Sequence, residues 1–237
     1  MIGHALVLAA GLGTRLRPLT LTCAKPALPI AGEPLVRRIL KWLAHERVTD
    51  IVINLHYLPE TIAAVVGDGG DLGVRVRYSW EQPVVLGSAG GPRHALPIVG
   101  ASSFLLVNGD TLTDMAVAPL AVDHERSGAL VTMALIPNRS PERYGGAQIE
   151  SDGRITGFVP RGASATGSYH VIGVQAAQAE TFAALKDGEP ANTVRGLYEQ
   201  LIAVRPGSIR GFVCDAQFWD IGTPEDYAAT NAIFSRS

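Results

Sequence analysis

Residues 8–25 read LAAGLGTRLRPLTLTCAK, and here residue type and spacing first point to chemistry. Ala9, Ala10, Gly11 and Gly13, set between Leu8 and Thr14, let the backbone approach a ligand closely. Successive N–H groups in such a turn can aim at phosphate oxygens. Arg15 adds a planar guanidinium that can donate two parallel hydrogen bonds to a phosphate. Lys25 follows, and Pro26 and Pro29 stiffen the chain beside it, so its charge is presented in a defined place. In an ordinary surface loop Arg15, Arg17 and Lys25 would be unremarkable charges. Three cations, two glycines and three prolines within one short span are instead the dense punctuation of a functional loop.

Two common phosphate loops are excluded. A dinucleotide fold wants GxGxxG, but Leu16 stands where the third glycine should be, and Pro18 interrupts the helix that should follow. The same departures argue against a nicotinamide-dependent oxidoreductase. The Walker pattern GxxxxGK[ST] occurs nowhere. The loop suits the polyphosphate of a mononucleotide.

Two aspartates are the matching carboxylates. Asp110 closes Val107-Asn108-Gly109-Asp110 after the most apolar run of the chain, and Asp220 lies in Phe218-Trp219-Asp220-Ile221-Gly222-Thr223-Pro224. Ligand sites in open α/β sheets gather at the carboxyl ends of strands. A carboxylate there can hold Mg²⁺, which prefers oxygen ligands and substrate phosphates. From position alone, a turn or helix-capping aspartate looks the same.

These groups need strands to carry them. Apolar runs alternate with amphipathic stretches through the first half, the pattern of βα units and a mostly parallel sheet. Strands are predicted over residues 5–10, 51–55, 74–78 (nearer the sheet edge) and 104–107. Helices are predicted from Pro34, over 59–66 and over 88–96, with Ser88 as N-cap of the last despite Gly90-Gly91. The second half is less regular. Strands are expected over 129–136, 154–159, 169–175 and 209–214, with the middle two antiparallel. Helices are expected over 194–204 and from Pro224, the latter capped by Thr223. The fold class is therefore α/β, a single-domain, Rossmann-like, doubly wound mixed sheet with additional antiparallel strands in its second half.

The chain of 237 residues, 47% hydrophobic and 18% charged, can bury a large core without disulfides or structural metals. Its net charge of −2 gives no general attraction to nucleic acid or to an acidic membrane, so phosphate must be bound by a few placed groups. Cys23 and Cys214 lack CxxC spacing and suit a reducing compartment as small buried hydrophobes. No targeting segment and no apolar run of about 20 residues is present, which makes the cytoplasm the expected location. The six histidines have no zinc-ligand spacing. His56 and His170 are expected to be satisfied structural residues, and Trp42 and Trp80 to serve packing.

Residues 8–35, LAAGLGTRLRPLTLTCAKPALPIAGEPL, closely resemble the N-terminal signature of the sugar-1-phosphate nucleotidylyltransferases, and the resemblance continues down nearly all of the chain. It implies a single nucleotidyltransferase domain over 1–237 of the nucleotide-diphospho-sugar transferase type. The nucleotide would bind in about 1–110 and the sugar in about 111–237. It implies that Arg15 and Lys25 are catalytic, and that Asp110 and Asp220 jointly hold a Mg²⁺ cofactor between the nucleotide α-phosphate and the sugar phosphate. Leu8, Ala9, Ala10, Gly11, Gly13 and Thr14 would then cradle the nucleotide, and the segments containing Gln82, Gly87 and Ser88 would pack around its base.

The sugar residues implied are Asn108, Gly145, Arg161 and Gly173. One departure stands out: many family members carry Glu-Lys-Pro after the strand over 154–159, where this chain has Phe158-Val159-Pro160-Arg161-Gly162; the glutamate is absent, and Arg161 is the residue that could take the lysine's place. The chain resembles the compact members, such as the N-acetylmuramate 1-phosphate uridylyltransferases and the mannose or heptose 1-phosphate guanylyltransferases. The partners expected are a nucleoside triphosphate and a sugar 1-phosphate, with no nucleic acid and no membrane. A non-catalytic relative that binds nucleotide-sugars and regulates a partner is the alternative. The presence of Arg15, Lys25, Asp110 and Asp220 together speaks for an active enzyme.

Overall fold

The apolar run after His4 becomes the central strand. The computed structural model describes residues 2–236. In chain order, the first half comprises β1 (His4–Leu8), the two-residue strands β2 (Pro29–Ile30) and β3 (Glu33–Pro34), α1 (Leu35–His45), β4 (Asp50–Leu55), α2 (Pro59–Val66), β5 (Arg75–Trp80), α3 (Gly87–Val99) and β6 (Ser103–Asn108). β1 pairs in parallel with β4 on one side and β6 on the other, and β4 pairs in parallel with β5, which forms the edge. This is the parallel half-sheet with helical crossovers that the alternating pattern predicts.

The second half comprises β7 (Thr111–Thr113), α4 (Val117–Ser127), β8 (Val131–Pro137), β9 (Gly146–Ile149), β10 (Ile155–Val159), β11 (Tyr169–Gln178), α5 (Glu180–Ala183), α6 (Glu199–Val204), β12 (Ile209–Val213), β13 (Phe218–Asp220) and α7 (Pro224–Phe234). β11 lies antiparallel to β6 and to β8, and it also meets the antiparallel pair β9–β10. β12 joins β8 in parallel. The result is one nine-stranded mixed sheet.

Period-2 alternation distributes the core over both faces of that sheet. Val7, Ile51, Ile53 and Val107 face α1, where Leu35, Ile39, Leu40 and Leu43 are buried. Leu6, Val52 and Leu106 face the other way, toward Ala95 and Val99 of α3 and toward Phe104, which packs 6.1 Å from Phe182. No described helix is long and apolar enough to cross a membrane.

Several expectations are corrected. The helix predicted over 194–204 is broken: Thr193–Tyr198 contains non-helical Arg195 and Gly196, and regular helix begins only at Glu199. β-Branched Thr193 and Val194 followed by Gly196 are weak helix formers, which explains the break. Ser88 is not an N-cap. α3 starts one residue earlier with Leu86 at its cap, and the Ser88 hydroxyl lies 3.0 Å from that of Thr193. Trp80 is half exposed on edge strand β5 and does not serve the core. Cys23 and Cys214 are both free and half-buried, with burial pushing each thiol above its usual pKa. Helices α4 and α5 and strands β2, β3, β7, β9 and β13 are additions to the predicted elements. The Thr223 cap is present as a full capping box with Asp226.

Candidate functional site

β1 and β6 end side by side, with Leu8 in register with Asn108. From β1 the chain winds outward to β4 and β5 and then returns to β6 on the other flank, so the crevice of a doubly wound sheet opens between these two strand ends. Gly109 donates its N–H to the Leu8 carbonyl at 2.9 Å, and a Cβ at residue 109 would come within 2.5 Å of that oxygen. Only glycine lets the two strand ends close together here.

The crevice is a cavity of about 350 Å³. It is lined by Leu8, Ala9, Ala10, Gly11, Gly13, Thr14, Arg15, Lys25, Gly87, Ser88, Asn108 and Asp110, residues far apart in sequence. Ala9 does not offer its N–H to the cavity, because that group already donates to Asn54 Oδ1 at 2.6 Å. The amides of Ala10, Gly11 and Leu12 have no acceptor among the described residues and remain available to a ligand.

Four charges converge at one end of this crevice. β7 and β13 form a short antiparallel ladder that pairs Asp220 with Thr111, and the Ile221 N–H donates to the Asp110 carbonyl at 3.1 Å. That ladder brings Asp220 beside Asp110 across a long stretch of sequence. Lys25 Nζ donates to Asp110 Oδ2 at 2.7 Å. Burial, and then the like charge of Asp110, push the Asp220 carboxyl above the usual carboxylate range, while Lys25 and Arg15 oppose the shift. Arg15 and Asp220 both flank Gly222: a Cβ at residue 222 would lie 3.2 Å from an Arg15 guanidinium nitrogen and 2.8 Å from Asp220 Oδ2. Arg15 has no ion-pair partner among the described residues, so its guanidinium is free for an anion.

The other residues singled out from the sequence fall elsewhere. Gln82 is exposed and lies outside the cavity lining, because the chain turns Glu81 inward and Gln82 outward. Gly145 and Arg161 line a separate cavity of about 610 Å³ together with His170 and Arg195. Gly173 sits in an irregularity of β11 against Thr111 and against Asn108 of the crevice lining.

His56 is satisfied through Nδ1 and the Glu81 carbonyl at 2.8 Å. His170 is not: both ring nitrogens are buried without a hydrogen-bond partner, and the ring packs 4.3 Å from Tyr144 and 4.9 Å from Phe218. Burial holds His170 below the usual histidine pKa, partly offset by the nearby Gly145 backbone. Sequence reasoning missed Asn54, which lines the crevice, and the buried Glu81 behind it. Asn54 interrupts an apolar strand run, with Ile51-Val52-Ile53 before it and Leu55 after it, and a polar residue inside such a run is the signal that could have found it.

Residues 4–236 match the nucleotidyl transferase family, and the chain belongs to that family. It is 30% identical over 229 residues to the mannose-1-phosphate guanylyltransferase of Mycobacterium tuberculosis, covering 96% of this chain and 63% of that protein. It is 48% identical over 111 residues to the N-acetylmuramate alpha-1-phosphate uridylyltransferase of Neisseria meningitidis, covering 47% of this chain and 48% of that protein. It is 30% identical to the D-glycero-alpha-D-manno-heptose 1-phosphate guanylyltransferase of Aneurinibacillus thermoaerophilus, over 94% and 95% of the two chains. The matches thus span less than two thirds of the first two relatives and nearly all of the third. In structure the chain is similar to HddC from Yersinia pseudotuberculosis, with a TM-score of 0.85 at 23% identity over 98% and 100% of the two chains. The mixed sheet is that of the nucleotide-diphospho-sugar transferase fold.

Proposed function

We propose that this protein transfers a nucleoside monophosphate from a nucleoside triphosphate to a sugar 1-phosphate, releasing pyrophosphate. The observation that carries this reading is the meeting of Arg15, Lys25, Asp110 and Asp220 beside a loop with free amides. A phosphate oxygen of the sugar attacks the α-phosphorus in line, and pyrophosphate departs on the opposite side. The nucleophile is already an anion, so the reaction calls for positioning and positive charge, not for a strong base. Arg15 and Lys25 supply two fixed cations, and the amides of Ala10 to Leu12 orient the polyphosphate.

Mg²⁺ fits the donor set. Two carboxylates, one with its pKa raised by burial and by the other, form an oxygen-only site that a cation would relieve. Among the described residues no group of three or more His, Cys, Asp or Glu could hold a metal, so substrate phosphates and water would complete the shell. When bound, Mg²⁺ would neutralise charge shared between the nucleotide and sugar phosphates. Asp110 and Asp220 would hold it.

The names of the relatives support guanine or uracil as the base. For the sugar they support mannose, a heptose, N-acetylmuramate or another hexose. The cavity with Gly145 and Arg161 takes the sugar in this reading, and the whole chain works as one domain, because β13 delivers Asp220 to the site built by residues 1–110. Two free thiols without CxxC spacing favour a cytoplasmic setting.

The test is pyrophosphate release with Mg²⁺ across the common nucleoside triphosphates and a panel of sugar 1-phosphates, wild type beside Asp110→Asn. Release that requires one base and one sugar and collapses in the variant is the expected result. Nucleotide binding without turnover across the matrix would point to a binding-only relative instead.

A further inference from the structure

Behind the glycine loop runs a chain of three short hydrogen bonds. The Ala9 N–H donates to Asn54 Oδ1, Asn54 Nδ2 donates to Glu81 Oε1, and the Leu86 N–H donates to Glu81 Oε2, each at 2.6 Å. Glu81 and Asn54 are both buried, and no cation pairs with Glu81 among the described residues. A carboxylate buried without a counter-ion is costly unless donors meet its lone pairs. Here both donors belong to segments that frame the crevice: Ala9 is reached through Asn54, and Leu86 directly precedes Gly87 and Ser88 in the lining.

The surrounding structure is shaped to this pair. A Cβ at residue 91 of α3 would lie 2.5 Å from Glu81 Oε1 and 2.8 Å from Asn54 Nδ2, so the helix can cover the pair only with a bare glycine. This accounts for a residue that is otherwise unfavourable inside a helix. The chain just after β4 braces the same loop at its far side. Tyr57 Oη donates to the Thr20 carbonyl at 2.8 Å, and Thr20 Oγ1 donates to the Gly13 carbonyl at 2.8 Å.

We propose that Glu81 is a positioning residue: acting through Asn54, it locks the phosphate loop at Ala9 to the loop at Leu86, so that a nucleotide meets both in one register. The inference rests on the nucleotidyl-transfer reading above. Its polarity is specific. A carboxylate at 81 accepts from both sides and forces the Asn54 amide to turn Oδ1 toward Ala9 and Nδ2 toward itself.

That polarity gives a discriminating experiment. In Glu81→Gln the new amide nitrogen must face either Asn54 Nδ2 or the Leu86 N–H, a donor against a donor. In Asn54→Asp two carboxylates face each other. The double variant, Glu81→Gln with Asn54→Asp, satisfies every partner again. Its amide nitrogen at position 81 would donate to the carboxylate at position 54, and its amide oxygen would accept from the Leu86 N–H. The second carboxylate oxygen at position 54 would accept from the Ala9 N–H. The readouts are Kd for a non-hydrolysable nucleoside triphosphate analogue, KM, kcat and Tm. The expected result is a rise of tenfold or more in Kd and KM in each single variant, with kcat changed less than threefold. The double variant should return within threefold of wild type.

Single variants that bind nucleotide like wild type, or that lose only Tm, overturn the inference. So does a double variant no better than the worse single. If a single variant fails to fold, the double variant alone decides: wild-type Kd supports the lock and weak binding overturns it. A wild-type protein that binds no nucleoside triphosphate overturns the nucleotidyl-transfer reading, and this inference with it. A wild type that turns over while the variants behave alike overturns the inference alone.

Discussion

Lys25 Nζ stands 2.7 Å from Asp110 Oδ2, with the lysine side chain 9% exposed and the carboxylate 35% exposed. The lysine is therefore held in the wall of the crevice while its partner still faces the opening. A cation so placed can serve two anions in turn, the resident carboxylate and an incoming phosphate. Asp220 and Arg15 stand close enough to be part of the same charge balance.

Removing that cation should affect catalysis first. Lys25→Ala is expected to lower kcat/KM by about 10²–10³-fold, the scale seen when one stabilising donor is lost from a preorganised site. Lys25→Arg should recover only part of this, because a planar fork does not replace a compact point charge in a buried slot. Steady-state pyrophosphate release measures both. Wild-type rates in Lys25→Ala would remove the lysine from the mechanism.

The carboxylate pair makes a separate prediction about metal. Chelation should abolish pyrophosphate release, and added Mg²⁺ should restore it. Asp110→Asn and Asp220→Asn each replace an anionic ligand by a neutral one, so each should raise the Mg²⁺ concentration for half-maximal rate by about tenfold or more. Full activity after chelation would show that the paired aspartates do not hold a metal.

Much of the site was legible because its carriers are local. The loop over residues 8–25 announces itself by composition, and the strand ending at Asn108 by its apolar run, so their meeting follows from the doubly wound topology. Asp220 could be picked by its motif, but what joins it to Asp110 is a three-residue ladder whose partners lie about a hundred residues apart in sequence. Periodicity carries no information about such a pairing.

The network behind the loop was less legible still. Glu81 lies in the segment expected to pack around the base, where Gln82 is the residue the sequence singles out, and only the folded chain shows that Glu81 points in and Gln82 points out. The Gly90-Gly91 pair reads as a weakness in a helix until Glu81 and Asn54 are found beneath Gly91. The helix over 194–204 failed because its apolar spacing looked right while Thr193, Val194 and Gly196 opposed the backbone.

The last helix offers a stability test. Thr223 Oγ1 accepts from the Asp226 N–H at 3.3 Å, and Asp226 Oδ2 accepts from the Thr223 N–H at 3.1 Å, so the box satisfies both donors reciprocally. Thr223→Ala should cost about 1 kcal/mol, which for a chain of this size corresponds to a Tm lower by about 2–4 °C. Thermal denaturation followed by circular dichroism is the measurement. An unchanged Tm would mean that the remaining contacts of α7 hold its first turn without the cap.

His124 supplies the pH test, far from the proposed metal ligands. It is buried in α4, with Nδ1 2.9 Å from Thr132 Oγ1 and Nε2 3.2 Å from the Gln178 amide nitrogen. An amide nitrogen can only donate, so Nε2 must accept and the ring must be neutral with its proton on Nδ1. Burial accordingly holds His124 below its ordinary pKa of 6.5, with nearby Asp123 opposing. In the unfolded chain the ring protonates as the pH falls through about 6.5, whereas in the folded chain it resists. The stabilisation is therefore complete above about 6.5 and is lost as the pH falls through the lower folded value. Tm should fall between about pH 7.5 and 5 in wild type and fall less steeply in His124→Gln, which can keep both hydrogen bonds without titrating. His170, also held low by burial, keeps part of the slope in the variant. Parallel Tm profiles for the two proteins would show that His124 titrates alike in the folded and unfolded chains.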